Sequence, residues 1–270
     1  MRKRRITIDN VLDYHVRDFR EVLGNRDYSS YMTSPQTEWE GGVESEIVTH
    51  IFFSDVELIY KEARRFIGGA RNAYSRYNSA LRRHGIKRRG TSGSEVRDTD
   101  RKKFETYVES HKTRTIMNCR HAISELCTLW DNLGEILWNY YGLYTEVNFR
   151  DARFPSLLDH LKDRGELFGF FSRVGIMRNR HGKICLQEDG TLHSLLVWRN
   201  TARHGFTGVS RVYGLEFSTL WERYIEFDDM DGRRRIKIMT SDEWVDLTAR
   251  AYHHFVICYN SLLGAIKSEK

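Results

Sequence analysis

Apolar residues in this chain recur mostly at steps of three and four, the period of an amphipathic helix. Leu12, Val16, Phe19, Val22 and Leu23 share one face and predict a short helix over 9–24. Residues 25–45 are polar, with Ser34-Pro35 and Gly41-Gly42, and read as a loop over the surface. Ile59, Ala63, Phe66, Ile67, Ala70, Tyr74, Tyr77 and Leu81 then mark a helix, interrupted only by Gly68-Gly69 and expected to stop near His84-Gly85. The Gly/Ser/basic stretch 85–99 has the composition of a mobile tip. The longest stripe follows: Phe104, Val108, Ile116, Cys119, Ile123, Leu126, Trp130, Leu133, Leu137 and Tyr140 trace about ten turns. Asp98 and Asp100 suit the positive start of that helix. Two long helices joined by one tip predict an antiparallel hairpin.

Beyond the hairpin the elements shorten. Pro155 stands where a helix begins, followed by Leu157, Leu158 and Leu161, and a second short helix is expected over Glu166–Arg178. Gly182–Gly190 reads as a turn region. Thr191 is placed to cap a helix through Leu192, Leu195, Leu196 and Arg199, with Gly205 suited to ending it. Between 207 and 239 the period falls to two, and Tyr224–Phe227, Asp228–Gly232 and Arg235–Met239 read as strand, turn and strand. Thr240-Ser241-Asp242-Glu243 is a capping box. It opens a last helix with the stripe Trp244, Leu247, Ala251, Phe255, Tyr259, Leu262 and Ile266. The expected fold is mainly α: an antiparallel helical bundle over 46–270 with a small β-hairpin insertion at 207–239 before the last helix. Residues 1–45 form an extension packed on it.

Composition narrows the class. Only two prolines in 270 residues favour long helices over a many-turned β sandwich. A net charge of +6 is consistent with a polyanionic partner. Cys119, Cys127, Cys185 and Cys258 have neither CxxC spacing nor a neighbouring ligand cluster, so reduced thiols in a cytoplasmic protein are expected. Neither a signal core after Arg5 nor a membrane-length apolar run is present. The sequence holds no Gly-rich phosphate loop, metal-ligand spacing or nucleophile elbow, and the expectation is of no metal and no cofactor.

The candidate chemistry lies in Arg199-Asn200-Thr201-Ala202-Arg203-His204, followed by Gly205-Phe206. A guanidinium holds phosphate through a planar fork of donors, and an imidazole takes or gives a proton near neutrality. Together they are the minimum for cutting RNA without a metal. The stretch resembles the R-x4-6-H signature of HEPN domains, in its R-N-x-x-x-H form. That resemblance implies a four-helix plan, a homodimer facing two motifs across one cleft, and endoribonuclease activity, as in toxins or antiviral effectors held by an antitoxin or regulatory partner. Phe206 stands where a toxin subfamily carries a modifiable tyrosine, so that modification is not expected here. By the resemblance, Arg199 and His204 are catalytic. Asn200 either orients the imidazole or caps backbone carbonyls. Arg203, Arg88, Arg89, Lys102 and Lys103 are the candidate RNA contacts, Arg203 having a plain surface role as its alternative. The alternative function is an inactive HEPN-like module binding nucleic acid or a protein, its Arg and His merely satisfying a helix end. Arg114 and His121 form a competing chance match on the long helix.

Overall fold

The computed structural model describes residues 5–24, 41–90, 98–143, 146–148, 153–157, 160, 171, 177–180, 183–186, 190–196, 223–227, 234–238 and 240–269. These are mainly helical. After a 3-10 turn at Val11–Asp13 come α1 (Arg20–Leu23), α2 (Gly41–Gly90), α3 (Asp98–Tyr140) and α4 (Phe154–Leu157). The strands β1 (Met177–Arg180) and β2 (Lys183–Leu186) pair antiparallel, with Met177 opposite Leu186 and Arg180 opposite Lys183. A helical turn at 191–196, here α5, precedes β3 (Arg223–Phe227) and β4 (Arg234–Ile238), which pair antiparallel with Arg223 opposite Ile238. The last helix, α6, is Ser241–Glu269. No helix among the described residues is long and apolar enough to cross a membrane.

The chain divides into two compact units, and α2, α3 and α6 each contribute residues to both. One unit takes 13–62, 125–194 and 251–270. Its core is aromatic. Trp130, 1 % exposed, meets Phe154 edge-on at 4.8 Å and Phe255 at 5.9 Å, and Phe53 stacks on Phe19 and meets Tyr259. Buried Asn139 Nδ2 donates to Thr49 Oγ1 at 2.6 Å, which ties α2 to α3 through a satisfied polar pair.

The same unit corrects the expectation of a continuous helix over 9–24. Only Val11–Asp13 and Arg20–Leu23 are helical, because side chains of α2 and α6 take the backbone groups between them. Val16 N donates to Tyr60 Oη and Arg17 N to Asn260 Oδ1. Tyr252 Oη and Asn260 Nδ2 donate to the carbonyls of Tyr14 and His15. Tyr60 Oη and Tyr252 Oη lie 2.6 Å apart. Backbone satisfied from outside has no need of helix hydrogen bonds. Of the apolar set, Phe19 and Leu23 are still buried.

The other unit takes 1–12, 63–124 and 195–250. Small residues recur on α2 there: Ala63, Ala70 and Ala73 are buried, as is Ile67, and Ile116, Cys119, Ala122 and Ile123 are buried on α3. At Gly69 the helices approach so closely that a Cβ would stand 3.0 Å from Asn118 Oδ1. Gly69 therefore serves close packing, and α2 runs straight through it. The helix also passes the expected stop at His84-Gly85 and ends at Gly90. An interior glycine costs only about 1 kcal/mol, which a 50-residue helix absorbs. At its other end α2 begins at Gly41, inside the stretch read as loop. In β1, Arg178 is extended where a helix was expected. Two residues with turn chemistry, His181-Gly182, separate two short pairable segments, and that pattern favours a hairpin over helix continuation.

The start of α6 follows its sequence signature. Thr240 N donates to Glu243 Oε2 at 2.7 Å, and Glu243 N returns a bond to Thr240 Oγ1 at 3.3 Å. All seven residues of the α6 stripe are buried. Thr240→Ala removes one half of this reciprocal cap and is expected to cost about 1 kcal/mol. Urea unfolding checks it, with Thr240→Ser expected to retain most of the stability.

Candidate functional site

The approach to the Arg/His stretch is α5. Ser194 N donates to the carbonyl of Gly190 at 3.0 Å, so Gly190 takes the cap position and the helix begins at Thr191, one step earlier than the sequence suggested. Thr191, Leu192 and Leu195 are buried, Ser194 is exposed and His193 is half-buried, so α5 is amphipathic. Arg199, Asn200, Arg203 and His204 lie outside the described residues, as do Gly205 and Phe206.

Four of the proposed RNA contacts lie on described helices. Arg88 and Arg89 belong to the last turn of α2, and Lys102 and Lys103 are exposed near the start of α3. Being consecutive, Lys102 and Lys103 point about 100° apart. Only Lys103 shares a face with Tyr107 and Arg114, because steps of four and seven return a helix to nearly the same direction.

The chance match Arg114/His121 is on that helix too. Seven residues place the pair on one face but about 10.5 Å apart along the axis. The His121 ring stacks on Phe66 with centroids 5.0 Å apart. A stacked ring at that separation is poorly placed to share one phosphate with the guanidinium.

His111 of α3 is 5 % exposed. The Tyr107 ring meets it edge-on at 4.4 Å, and Nδ1 has no hydrogen-bond partner among the described residues. Burial pushes its pKa below the usual histidine value, and the positive charges of Arg114 and Arg76 push the same way. Burial likewise lowers His253, whose ring packs edge-on against Tyr14 at 4.5 Å. Both rings are held neutral, so protonation favours the unfolded chain. Their stabilising effect is complete above the unfolded histidine pKa of about 6.5 and is lost as pH falls below it, towards the lower folded values. The urea midpoint should therefore drop between pH 7.5 and pH 5.5. The drop should be smaller in His111→Phe, and an equal drop would remove His111 from the account.

Among the described residues no group of three His, Cys, Asp or Glu side chains is placed to hold a metal ion. Cys119, Cys127 and Cys258 are buried, and burial pushes the Cys119 thiol up to about 12 and raises Cys258 as well. Such thiols are packing groups without nucleophilic character. Sequence reading missed Tyr107 and Arg76, which lie off the apolar stripes on the exposed faces of α3 and α2. The signal was present in the 103, 107, 114 spacing. No protein-family model, no curated protein and no solved structure matches the chain at a significant level.

Proposed function

We propose that the protein is a metal-independent endoribonuclease of HEPN type, active as a homodimer that brings two copies of 199–204 to one cleft. The observation that carries the reading is Arg199-Asn200-x-x-x-His204 in a mainly helical chain, ahead of a long closing helix. In this reading α2, α3 and α6 are principal helices of the bundle, the segment leading from α5 carries the motif, and 207–239 is the hairpin insertion. Free buried thiols fit a reducing compartment such as the cytoplasm.

The chemistry needs no group beyond the chain and the RNA. The 2′-hydroxyl attacks the adjacent phosphorus, the 5′-oxygen leaves, and the products are a 2′,3′-cyclic phosphate and a 5′-hydroxyl. His204 moves the proton, since an imidazole is the side chain that most readily takes and gives one near neutrality. Arg199 stabilises the charge that gathers on the phosphoryl oxygens, usually the largest catalytic contribution. Asn200 orients the imidazole or holds the turn. On one regular helix, residues five apart point about 140° from each other. One chain therefore offers a sparse site, and a second copy supplies the facing pair.

A toxin or antiviral effector of this kind is kept in check by an antitoxin or other regulatory partner. The test is cleavage of RNA by the purified protein in excess EDTA, with His204→Ala beside it. Cutting by the wild type alone supports the reading. Binding of RNA with no cutting by either protein transfers support to the inactive binding module.

A further inference from the structure

Charge is distributed very unevenly along α2. Residues 63–90 hold nine Arg and Lys and no Asp or Glu, whereas 41–62 hold five acidic residues and one lysine. The facing stretch of α3, 110–124, contains Lys112, Arg114 and Arg120 and again no carboxylate. A stretch that only needed solvation would mix both signs.

The two helices run antiparallel in this unit, with Phe66 against His121 and Gly69 against Asn118. The same register puts Arg76 level with His111, whose proton affinity both Arg76 and Arg114 depress. Carried on one step of seven, it brings Arg83 level with Phe104, next to Lys103. Arg76 and Arg83 lie seven residues apart on one exposed face of α2. Lys103, Tyr107 and Arg114 are exposed at spacings of four and seven on one face of α3. Two pairs of cations thus flank a tyrosine ring that is 50 % exposed and backed by the buried His111.

Nearby acids turn away. Glu105 and Glu109 fall on the opposite side of α3 from Arg114 by helical angle. The acidic start of α6 meets α2 through Tyr74, whose hydroxyl donates to Asp242 at 2.8 Å, about 160° around the helix from Arg76.

We propose that this face of α2 and α3 binds single-stranded RNA, with its phosphates on Arg76, Arg83, Lys103 and Arg114 and a base stacked on Tyr107. Cations that track a backbone, interleaved with an exposed ring, are the usual means of holding a single strand without reading its sequence. The choice of RNA rests on the ribonuclease reading; the cationic face itself does not.

The test uses the full-length His204→Ala protein and a fluorescein-labelled oligouridine of roughly 20 nucleotides, followed by anisotropy across a salt series. Arg76→Ala/Arg114→Ala should weaken binding and flatten the plot of log affinity against log salt by about 0.7 for each lost phosphate contact. Tyr107→Ala should weaken binding roughly tenfold without changing that slope, and Tyr107→Phe should restore it. Lys61→Ala, an exposed lysine paired with Glu57 in the other unit, should change neither. Circular dichroism confirms that the exposed substitutions leave the helices intact. An unchanged slope in the double variant, or anionic phospholipid vesicles that compete RNA off completely, overturns the proposal. The catalytic reading is judged separately. A wild type that binds through this face and never cuts removes the catalytic reading alone. Undiminished cutting at low RNA concentration by Arg76→Ala/Arg114→Ala removes this surface alone.

Discussion

Trp130→Ala is expected to cost about 3–5 kcal/mol, the range for deleting a large aromatic from a packed core. Trp130 is fully enclosed, with Phe154 and Phe255 edge-on at its ring. Phe154 in turn meets buried Phe171 at 5.1 Å, so the substitution would remove two aromatic contacts and open a cavity beside a third. A typical domain has about 5–15 kcal/mol in total, so this single change removes a large share of it. The indole Nε1 has no hydrogen-bond partner among the described residues. Trp130→Phe therefore keeps most of the ring contact while deleting a buried donor, and should lose much less. The check is the urea midpoint at unchanged slope. A Trp130→Ala loss below about 1 kcal/mol would mean that the aromatic cluster is not the core of its unit.

The second large effect concerns catalysis. His204→Ala is expected to lower RNA cleavage by about 10²–10⁴-fold, the usual contribution of a positioned proton-transfer group. Arg199→Ala should abolish cleavage as well, through lost stabilisation of the phosphoryl charge. Neither residue lies on an apolar stripe, so thermal stability should stay close to wild type. His121→Ala is the control. It breaks the competing Arg114/His121 match and its stack on Phe66, and the rate should not change. Full activity in His204→Ala refutes the assignment. Loss of activity in His121→Ala with the fold intact would transfer the chemistry to the long helix.

The long helices were legible because burial imposes a repeat that sequence carries openly. From Ile116 to Leu137 every member of the α3 stripe is buried, and so is every member of the α6 stripe. The capping box at Thr240 was legible for a related reason: its two hydrogen bonds join residues three apart. Residues 9–24 were misread because their backbone partners, Tyr60, Tyr252 and Asn260, are distant in sequence. Local periodicity is blind to hydroxyls arriving from elsewhere. The ends of α2 were misplaced because glycine was taken as a stop. Its start was set by the Gly41-Gly42 pair and by a stripe first recognised at Ile59, although Ile47, Phe53 and Val56 are buried in the helix before it. Of the candidate site, Lys103 was found from charge alone. Tyr107 is legible in the 103, 107, 114 spacing along α3, whereas Arg76 gains its meaning only from the register of α2 on α3. Arg199 and His204 rest on sequence throughout.

The most direct test of the central claim is the chemistry of the cut ends. Wild-type protein, freed of metal and held in EDTA, is incubated with a single-stranded RNA, and the products are resolved by mass. The account predicts fragments ending in a 2′,3′-cyclic phosphate and beginning with a 5′-hydroxyl, absent from a parallel reaction with His204→Ala. Fragments with a 5′-phosphate, cleavage that requires an added divalent metal, or the same products from His204→Ala would contradict it.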